Sequence, residues 1–213
     1  MPGNRHAWIA TAFVTELGWM ATLGRGTSLR QLTIGNASPA KALAALDHDG
    51  IAAQGDELRM GRWNPRLIAR LQAFAEGVQD DFLDVEIEPL DRTEFALRVI
   101  DSCRRIPCGQ TLSYGELARW AQAPRAARAV GTVMSTNCHA IIVPCHRVVR
   151  SNGGIGGYTC PAGIDLKKRL LSLETKMGES NPQVSRRQTG GSRQRSPGHR
   201  SSSGDTRRGL VRL

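Results

Sequence analysis

The sequence predicts an α/β protein in which a small N-terminal sheet-plus-helix domain precedes a mainly helical domain carrying a helix-turn-helix and a cysteine loop. Three observations carry that prediction. Strand-like stretches separated by glycine turns fill residues 7–35, capped helical patterns follow, and the composition changes sharply after Glu174. The expected divisions are 1–91, 92–174 and a basic tail at 175–213. A chain of 213 residues with 40% hydrophobic content has ample material for packed cores.

The first segment reads as three strands, Trp8 to Val14, Trp19 to Leu23 and Leu29 to Ile34, with Gly24-Arg25-Gly26 as a hairpin tip. Ser38-Pro39 then forms a helix N-cap with proline at the first helical position, leading into Ala40 to Leu46. A second helix is expected from Asn64-Pro65 to Gly77, with Leu67, Ile68, Leu71, Phe74 and Ala75 on one stripe. The acidic stretch Asp80 to Asp91, which carries Pro89, connects this unit to the next.

In the second segment Thr93 can cap a helix whose apolar face is Phe95, Val99, Ile100 and Cys103, ending before Ile106-Pro107. Ser113 and Glu116 have the spacing of a capping box, so a helix should run from there to Ala121. Ala123-Pro124 breaks it, and Arg125 to Thr136 forms the next helix, small-faced and arginine-bearing. Two short helices around a tight break have the pattern of a helix-turn-helix, which a plain helical hairpin shares. The apolar run Ala140 to Val143 reads as a short buried strand. Pro144 stops it and presents Cys145 and His146 side by side, a thiol beside an imidazole at the lip of a core strand.

Charge is uneven. Residues 1–91 carry 8 Lys/Arg against 12 Asp/Glu, residues 92–174 carry 12 against 5, and residues 175–213 carry 9 against 2. A basic half holding the Cys-His motif suggests a polyanionic partner, most simply nucleic acid. Glu16 interrupts the one stretch that could pass for a signal peptide, and no run approaches ~18 uncharged apolar residues, so no membrane span is expected. Five cysteines without a secretory signal argue for free thiols in a reducing compartment, the cytoplasm or, in a eukaryote, the nucleus. The tail has almost no apolar residue before Leu210 and is expected to be disordered, with non-specific phosphate affinity.

Ile106-Pro107-x-Gly109-x-Thr111-x-Ser113-Tyr114-Gly115, then Ala127-Arg128-Ala129-Val130-Gly131, then Asn137, then Pro144 to Val149, together resemble the O6-alkylguanine-DNA alkyltransferase family across residues 92–174. The resemblance implies a ribonuclease-H-like fold for the first 91 residues, which carry nothing diagnostic. It implies direct, single-turnover repair: the thiolate of Cys145 takes the alkyl carbon from guanine O6 and keeps it as a thioether, which water cannot displace. A free cysteine with pKa ~8.5 is mostly protonated at neutral pH, so a base is needed. The family pattern assigns that role to His146 acting through a water, with Glu174, at the end of the last helix, orienting the imidazole. Tyr114 would help protonate the departing guanine and crowd the phosphate, and Asn137 would tie the recognition helix to the active-site strand.

The target atom lies inside a duplex, so the nucleotide must be flipped out. The resemblance makes Arg128 the finger that fills the gap, with Ser113, Ala126, Ala127 and Gly131 at the DNA surface, in the minor groove. Pro144, Val148, Tyr158 and Thr159 would line the pocket. The partner is double-stranded DNA containing O6-alkylguanine, the protein a monomer, and no cofactor or metal is called for. O4-alkylthymine stays open as a second substrate.

Three departures from the family pattern stand out: Cys160-Pro161-Ala162-Gly163 where a shorter glycine pair is usual, Cys138 where proline is common, and Cys108 in place of an aromatic. The first puts pocket shape in doubt and the second can loosen the hinge. Other readings are a zinc site from Cys138, His139, Cys145 and His146, a non-catalytic lesion binder or sensor, and a cysteine hydrolase. The zinc reading suffers from a strand-like spacer. The hydrolase reading suffers because adjacent side chains on an extended segment point to opposite sides.

Overall fold

The structure, a computed structural model, describes residues 7–88 and 92–179. The three expected strands, β1 (Trp8–Thr15), β2 (Gly18–Arg25) and β3 (Ser28–Asn36), form an antiparallel meander. The β2–β3 turn falls at Gly26-Thr27, so Gly24 stays inside β2. A Cβ on Gly24 would lie 2.1 Å from the Trp63 indole. That indole lies against the bare backbone and donates its Nε1–H to the Gly26 carbonyl at 3.0 Å.

Helix α1 (Pro39–Ala44) is capped by Ser38, as expected. Two short elements follow that sequence reasoning did not identify: α2 (His48–Ala53), capped by Asp47, and β4 (Leu58–Met60), which pairs in parallel with β1. The sheet order is β3-β2-β1-β4. Helix α3 (Pro65–Ala75) starts where expected, and the Asn64 side chain caps it by accepting from the Leu67 amide at 3.1 Å.

Alternation along the strands gives the sheet two apolar faces. Trp8, Ala10, Ala21 and Leu23 meet Ala42, Leu46 and Ile51 on one side. Phe13, Met20, Leu29 and Leu32 meet Leu67, Leu71 and Phe74 on the other, together with Ile141, Ile142, Leu166 and Leu170 from the second half of the chain. The sheet therefore shares its larger core with the segment that carries the cysteine. Each such buried aliphatic side chain contributes about 1.5–3 kcal/mol.

The helical half begins with α4 (Glu94–Arg104), capped by Thr93. The capping box forms as expected: the Ser113 amide donates to Glu116 Oε2 at 2.7 Å and the Glu116 amide donates to Ser113 Oγ at 3.2 Å, opening α5 (Tyr114–Trp120). Helix α6 (Ala127–Ser135) starts later than the expected Arg125, because the chain turns through Pro124 and Ala126 closes that turn without a side-chain cap. Helices α4, α5 and α6 pack around Val99, Leu117 and Val130.

Two expectations are corrected. Ala140 to Val143 is a buried turn, not a strand: Ile141 has φ +68°, and the Val143 amide donates to the His139 carbonyl at 2.8 Å. A short apolar run reports burial, and periodicity cannot tell a strand from a tight reversal. A left-handed β-branched residue is a genuine outlier, held here by the packing of Ile141 and Ile142 against the sheet. The chain then enters a 3-10 turn, Cys145–Arg147, and a short strand β6 (Val148–Val149), which pairs in parallel with β5 (Leu112–Ser113). Glu174, expected at a helix end, lies within α7 (Gly163–Glu179). The expected disordered tail lies, from residue 180 on, outside the described residues, as do linker residues 89–91. No helix among the described residues is long and apolar enough to cross a membrane.

Candidate active site

The β5–β6 pairing sets Ser113 opposite Val149, and so brings the first residue of α5, Tyr114, beside the turn that carries Cys145. Both line a cavity of about 430 Å³ whose other walls come from Gly131, Met134 and Ser135 of α6 and from Gly157, Tyr158 and Thr159. The loop approaches closely. Gly156 has φ +76°, which favours glycine, and a Cβ there would sit 3.2 Å from the Tyr114 hydroxyl, close enough to press on it.

Asn137 holds the thiol. Its Nδ2 donates to Cys145 Sγ at 3.1 Å and to the Val143 carbonyl at 2.9 Å, while its Oδ1 accepts from the His139 amide at 3.0 Å. One side chain thus fixes the turn 139–143 and points a donor at sulfur. The far side of that turn is tied to the sheet by the Leu32 amide, which donates to the Cys138 carbonyl at 2.8 Å.

Behind Cys145 lies a fully buried ion cluster. Glu174 Oε1 meets His146 Nε2 at 2.8 Å, and Arg147 donates to the same carboxylate through Nε and Nη2 at 2.8–3.1 Å. Arg147 Nη1 also donates to the Ile106 carbonyl, and the Gly109 amide to Glu174 Oε2. The 3-10 turn allows this. On an extended segment Cys145 and His146 would point to opposite sides, whereas here the thiol reaches the cavity and the imidazole, with no exposed surface, turns to Glu174. His146 Nδ1 is buried with no hydrogen-bond partner in the protein.

The electrostatics follow from burial. Burial opposes ionisation of Glu174, but the hydrogen bonds from His146 and Arg147, with the Arg147 charge, outweigh it and hold its pKa down to about 2. Burial pushes the His146 pKa down against the pull of Glu174, which favours the neutral imidazole. The Cys145 thiol is pushed up by burial, with Asn137 and the Lys167 ammonium opposing. It rests as a thiol, and the proton must leave as the sulfur reacts. Burial also raises the Tyr114 phenol, which stays protonated.

These shifts give stability a pH dependence. His139, buried and near Arg92, has its pKa lowered to about 4, so the unfolded chain binds more protons between pH 6.5 and 4. Glu174 acts in the same direction between its unfolded value of 4.5 and about 2. Stability is therefore expected to fall as the pH drops from 6.5, by about 3 kcal/mol for each of these two groups once its window is passed. Urea unfolding of wild type and His139→Leu across pH 7 to 4 checks this, the variant giving the flatter curve.

Of the residues expected at the site, Tyr114, Gly131, Cys145, Tyr158 and Thr159 share the cavity, with Asn137, His146 and Glu174 behind it. Ala127 and the exposed Arg128 lie in the first turn of α6, Ala126 is its cap, and Ser113 serves the capping box. Pro144 and Val148 do not line the cavity. Both are buried, and Val148 belongs to the helical core because β6 turns its side chain inward.

Sequence reasoning assigned no role to Arg147 or Lys167. Lys167 has no exposed surface and donates to the carbonyls of Val148 at 2.6 Å and Gly157 at 3.3 Å, tying β6 to the loop that walls the cavity. A signal for it existed. Lys167, Leu170, Glu174 and Met177 recur at helical spacing on the buried stripe of α7, where a solvated charge does not belong.

Comparison with known proteins agrees with this arrangement. Residues 94–176 match the family model described as 6-O-methylguanine DNA methyltransferase, DNA binding domain. The methylated-DNA–protein-cysteine methyltransferase of Methanosarcina mazei is 46% identical over 105 residues, 49% of this chain and 64% of that protein. That of Mycolicibacterium paratuberculosis is 44% identical over 117 residues, 53% of this chain and 68% of that protein. The chain thus spans slightly under two thirds of the Methanosarcina mazei relative and slightly over two thirds of the other. The crystal structure of Mycobacterium tuberculosis O6-methylguanine methyltransferase superposes with a TM-score of 0.65 at 31% identity, covering 83% of this chain and 98% of that one. The Mycobacterium tuberculosis OGT solved in complex with DNA gives 0.62 at 31% identity, covering 79% and 94%. With the motifs, the sheet-then-helices architecture and the cysteine turn in agreement, the chain belongs to the methylated-DNA–protein-cysteine methyltransferase family.

Proposed function

We propose that this chain repairs O6-alkylguanine in duplex DNA by moving the alkyl group to Cys145, once per molecule. The observation that carries this is a thiol on a cavity wall, held by an amide donor and backed by a buried His146–Glu174–Arg147 cluster. The Cys145 sulfur attacks the alkyl carbon in line, the S–C bond forms, and the C–O6 bond breaks with its electron pair leaving on the guanine. The thiol proton passes to neutral His146 through a water, and Glu174, held ionised by Arg147, stabilises the imidazolium. Tyr114 supplies a proton to the leaving purine. The product thioether has no leaving group that water can displace, so the protein is consumed.

The DNA reading rests on the same site. The small residues Ala126, Ala127 and Gly131 allow close approach of α6, in the minor groove, and Arg128 replaces the extruded nucleotide in the stack. The chain acts as a monomer, with an N-terminal unit at 1–91 joined to a 92–174 repair unit. Arg128→Ala should slow repair of duplex by about tenfold or more, since unstacking costs a few kcal/mol. Reaction with the free alkylated base should be unchanged, and equal losses on both substrates would contradict the finger role.

A labelled-methyl assay tests the proposal against its rivals. One equivalent of covalent label on the protein is expected. Tight binding to damaged duplex without label identifies a lesion binder, and repeated turnover of an ester or amide identifies a hydrolase.

A further inference from the structure

The ring of Tyr114 stands between two stretches of bare backbone. A Cβ on Gly131 of α6 would lie 3.9 Å from Tyr114 Cε1, and a Cβ on Gly156 would lie 3.5 Å from Cε2, on the opposite edge of the ring. Arg150 belongs to the Gly156 side. A Cβ on Gly154 would meet Arg150 Cδ at 3.4 Å, and one on Gly156 would meet Arg150 Cγ at 3.8 Å, so the arginine stem lies along the glycine loop. Its own backbone closes the turn that carries it. The Arg150 amide donates to the Gly154 carbonyl at 2.8 Å, and the Gly153 amide donates to the Arg150 carbonyl at 3.1 Å. Burial raises the pKa of the Tyr114 phenol, and the Arg150 charge is close enough to oppose that rise.

Arg150 is exposed and borders the Cys145 cavity without lining it. Other exposed arginines of the helical half sit beside carboxylates, Arg98 with Glu94, Arg105 with Asp101 and Arg119 with Glu116. Arg150, like Arg128 on α6, has no carboxylate partner among the described residues. A nucleotide whose base fills the cavity leaves its phosphates outside, because burying their charge unpaired is costly. A guanidinium fork matches a phosphate, and such a contact positions the strand without reading its sequence. That suits a lesion that can occur in any sequence.

We propose that Arg150 is a positioning residue that grips a backbone phosphate of the nucleotide inserted in the Cys145 cavity, on the side of Tyr114 away from α6. The inference rests on the alkyl-transfer reading of that cavity. Arg150 takes no part in the chemistry; it holds the extruded nucleotide in place while the sulfur reacts.

Two measurements test it. Affinity for methylated duplex is followed against sodium chloride in a Cys145→Ala background, where no transfer competes with binding. Arg150→Gln should weaken binding about tenfold and flatten the slope of log affinity against log salt by about one. Arg150→Lys should keep the slope, because it keeps the charge. With Cys145 in place, Arg150→Gln should slow transfer from methylated duplex by a similar factor and leave transfer from the free alkylated base unchanged. An unaltered salt slope, or equal losses on duplex and free base, would overturn the assignment. The two readings fail separately. A slope that flattens in a protein whose Cys145 gains no label keeps the phosphate contact and refutes alkyl transfer, whereas labelling with no change of slope refutes the contact alone.

Discussion

Cys145→Ala should abolish alkyl transfer completely while leaving affinity for damaged duplex nearly intact. The asymmetry follows from where the side chain sits. Cys145 lines the cavity and its sulfur accepts one hydrogen bond, from Asn137, which keeps its two backbone partners when the sulfur is gone. The turn 139–143 and α6 should therefore hold their positions. Among the described residues no other thiol is placed to substitute: Cys103 is wholly buried, and Cys108, Cys138 and Cys160 lie outside the walls of that cavity. Transfer rates with labelled oligonucleotide and binding by fluorescence anisotropy separate the two properties. A variant that loses DNA binding along with transfer would mean that the sulfur helps to shape the DNA-facing surface.

Glu174→Gln carries the second large effect, on stability and rate together. The substitution keeps the volume but leaves the Arg147 guanidinium, 3% exposed, without its counter-charge. Breaking a buried pair by removing one partner costs about 3–5 kcal/mol. Urea unfolding should register that loss, and transfer should slow because His146 loses the carboxylate that stabilises its protonated form. A double variant, Glu174→Gln with Arg147→Met, distinguishes the two contributions. It should recover much of the stability by removing the stranded charge, and little of the rate. Recovery of both would make the cluster purely structural.

The sequence was most legible where one residue carries a local, nameable duty. Ser38, Thr93 and Ser113 all cap the helices they were expected to cap, because an N-cap needs only a side-chain oxygen three residues ahead of an amide. It was least legible where tertiary packing decides. Nothing local distinguishes the apolar run 140–143 as a turn, since Ile141 adopts its left-handed backbone only under the pressure of the sheet behind it. The three-residue β4 exists because β1 offers a free edge. At the site, the motif order named Cys145, His146, Asn137 and Tyr114 correctly as neighbours. Val148 and Pro144 were misplaced because direction along a two-residue strand and a 3-10 turn cannot be read from spacing. Lys167 and Arg147 were passed over because charged residues are ordinarily solvated; the buried stripe of α7 is a signal for Lys167, and nothing local signals the burial of Arg147.

Intact mass and peptide mapping after incubation with equimolar methylated oligonucleotide test the account most directly. The protein should gain the mass of one CH2 group, located on the peptide containing Cys145, and gain nothing further with excess substrate. An unchanged mass alongside a repaired oligonucleotide, or a modification on any other residue, would contradict it.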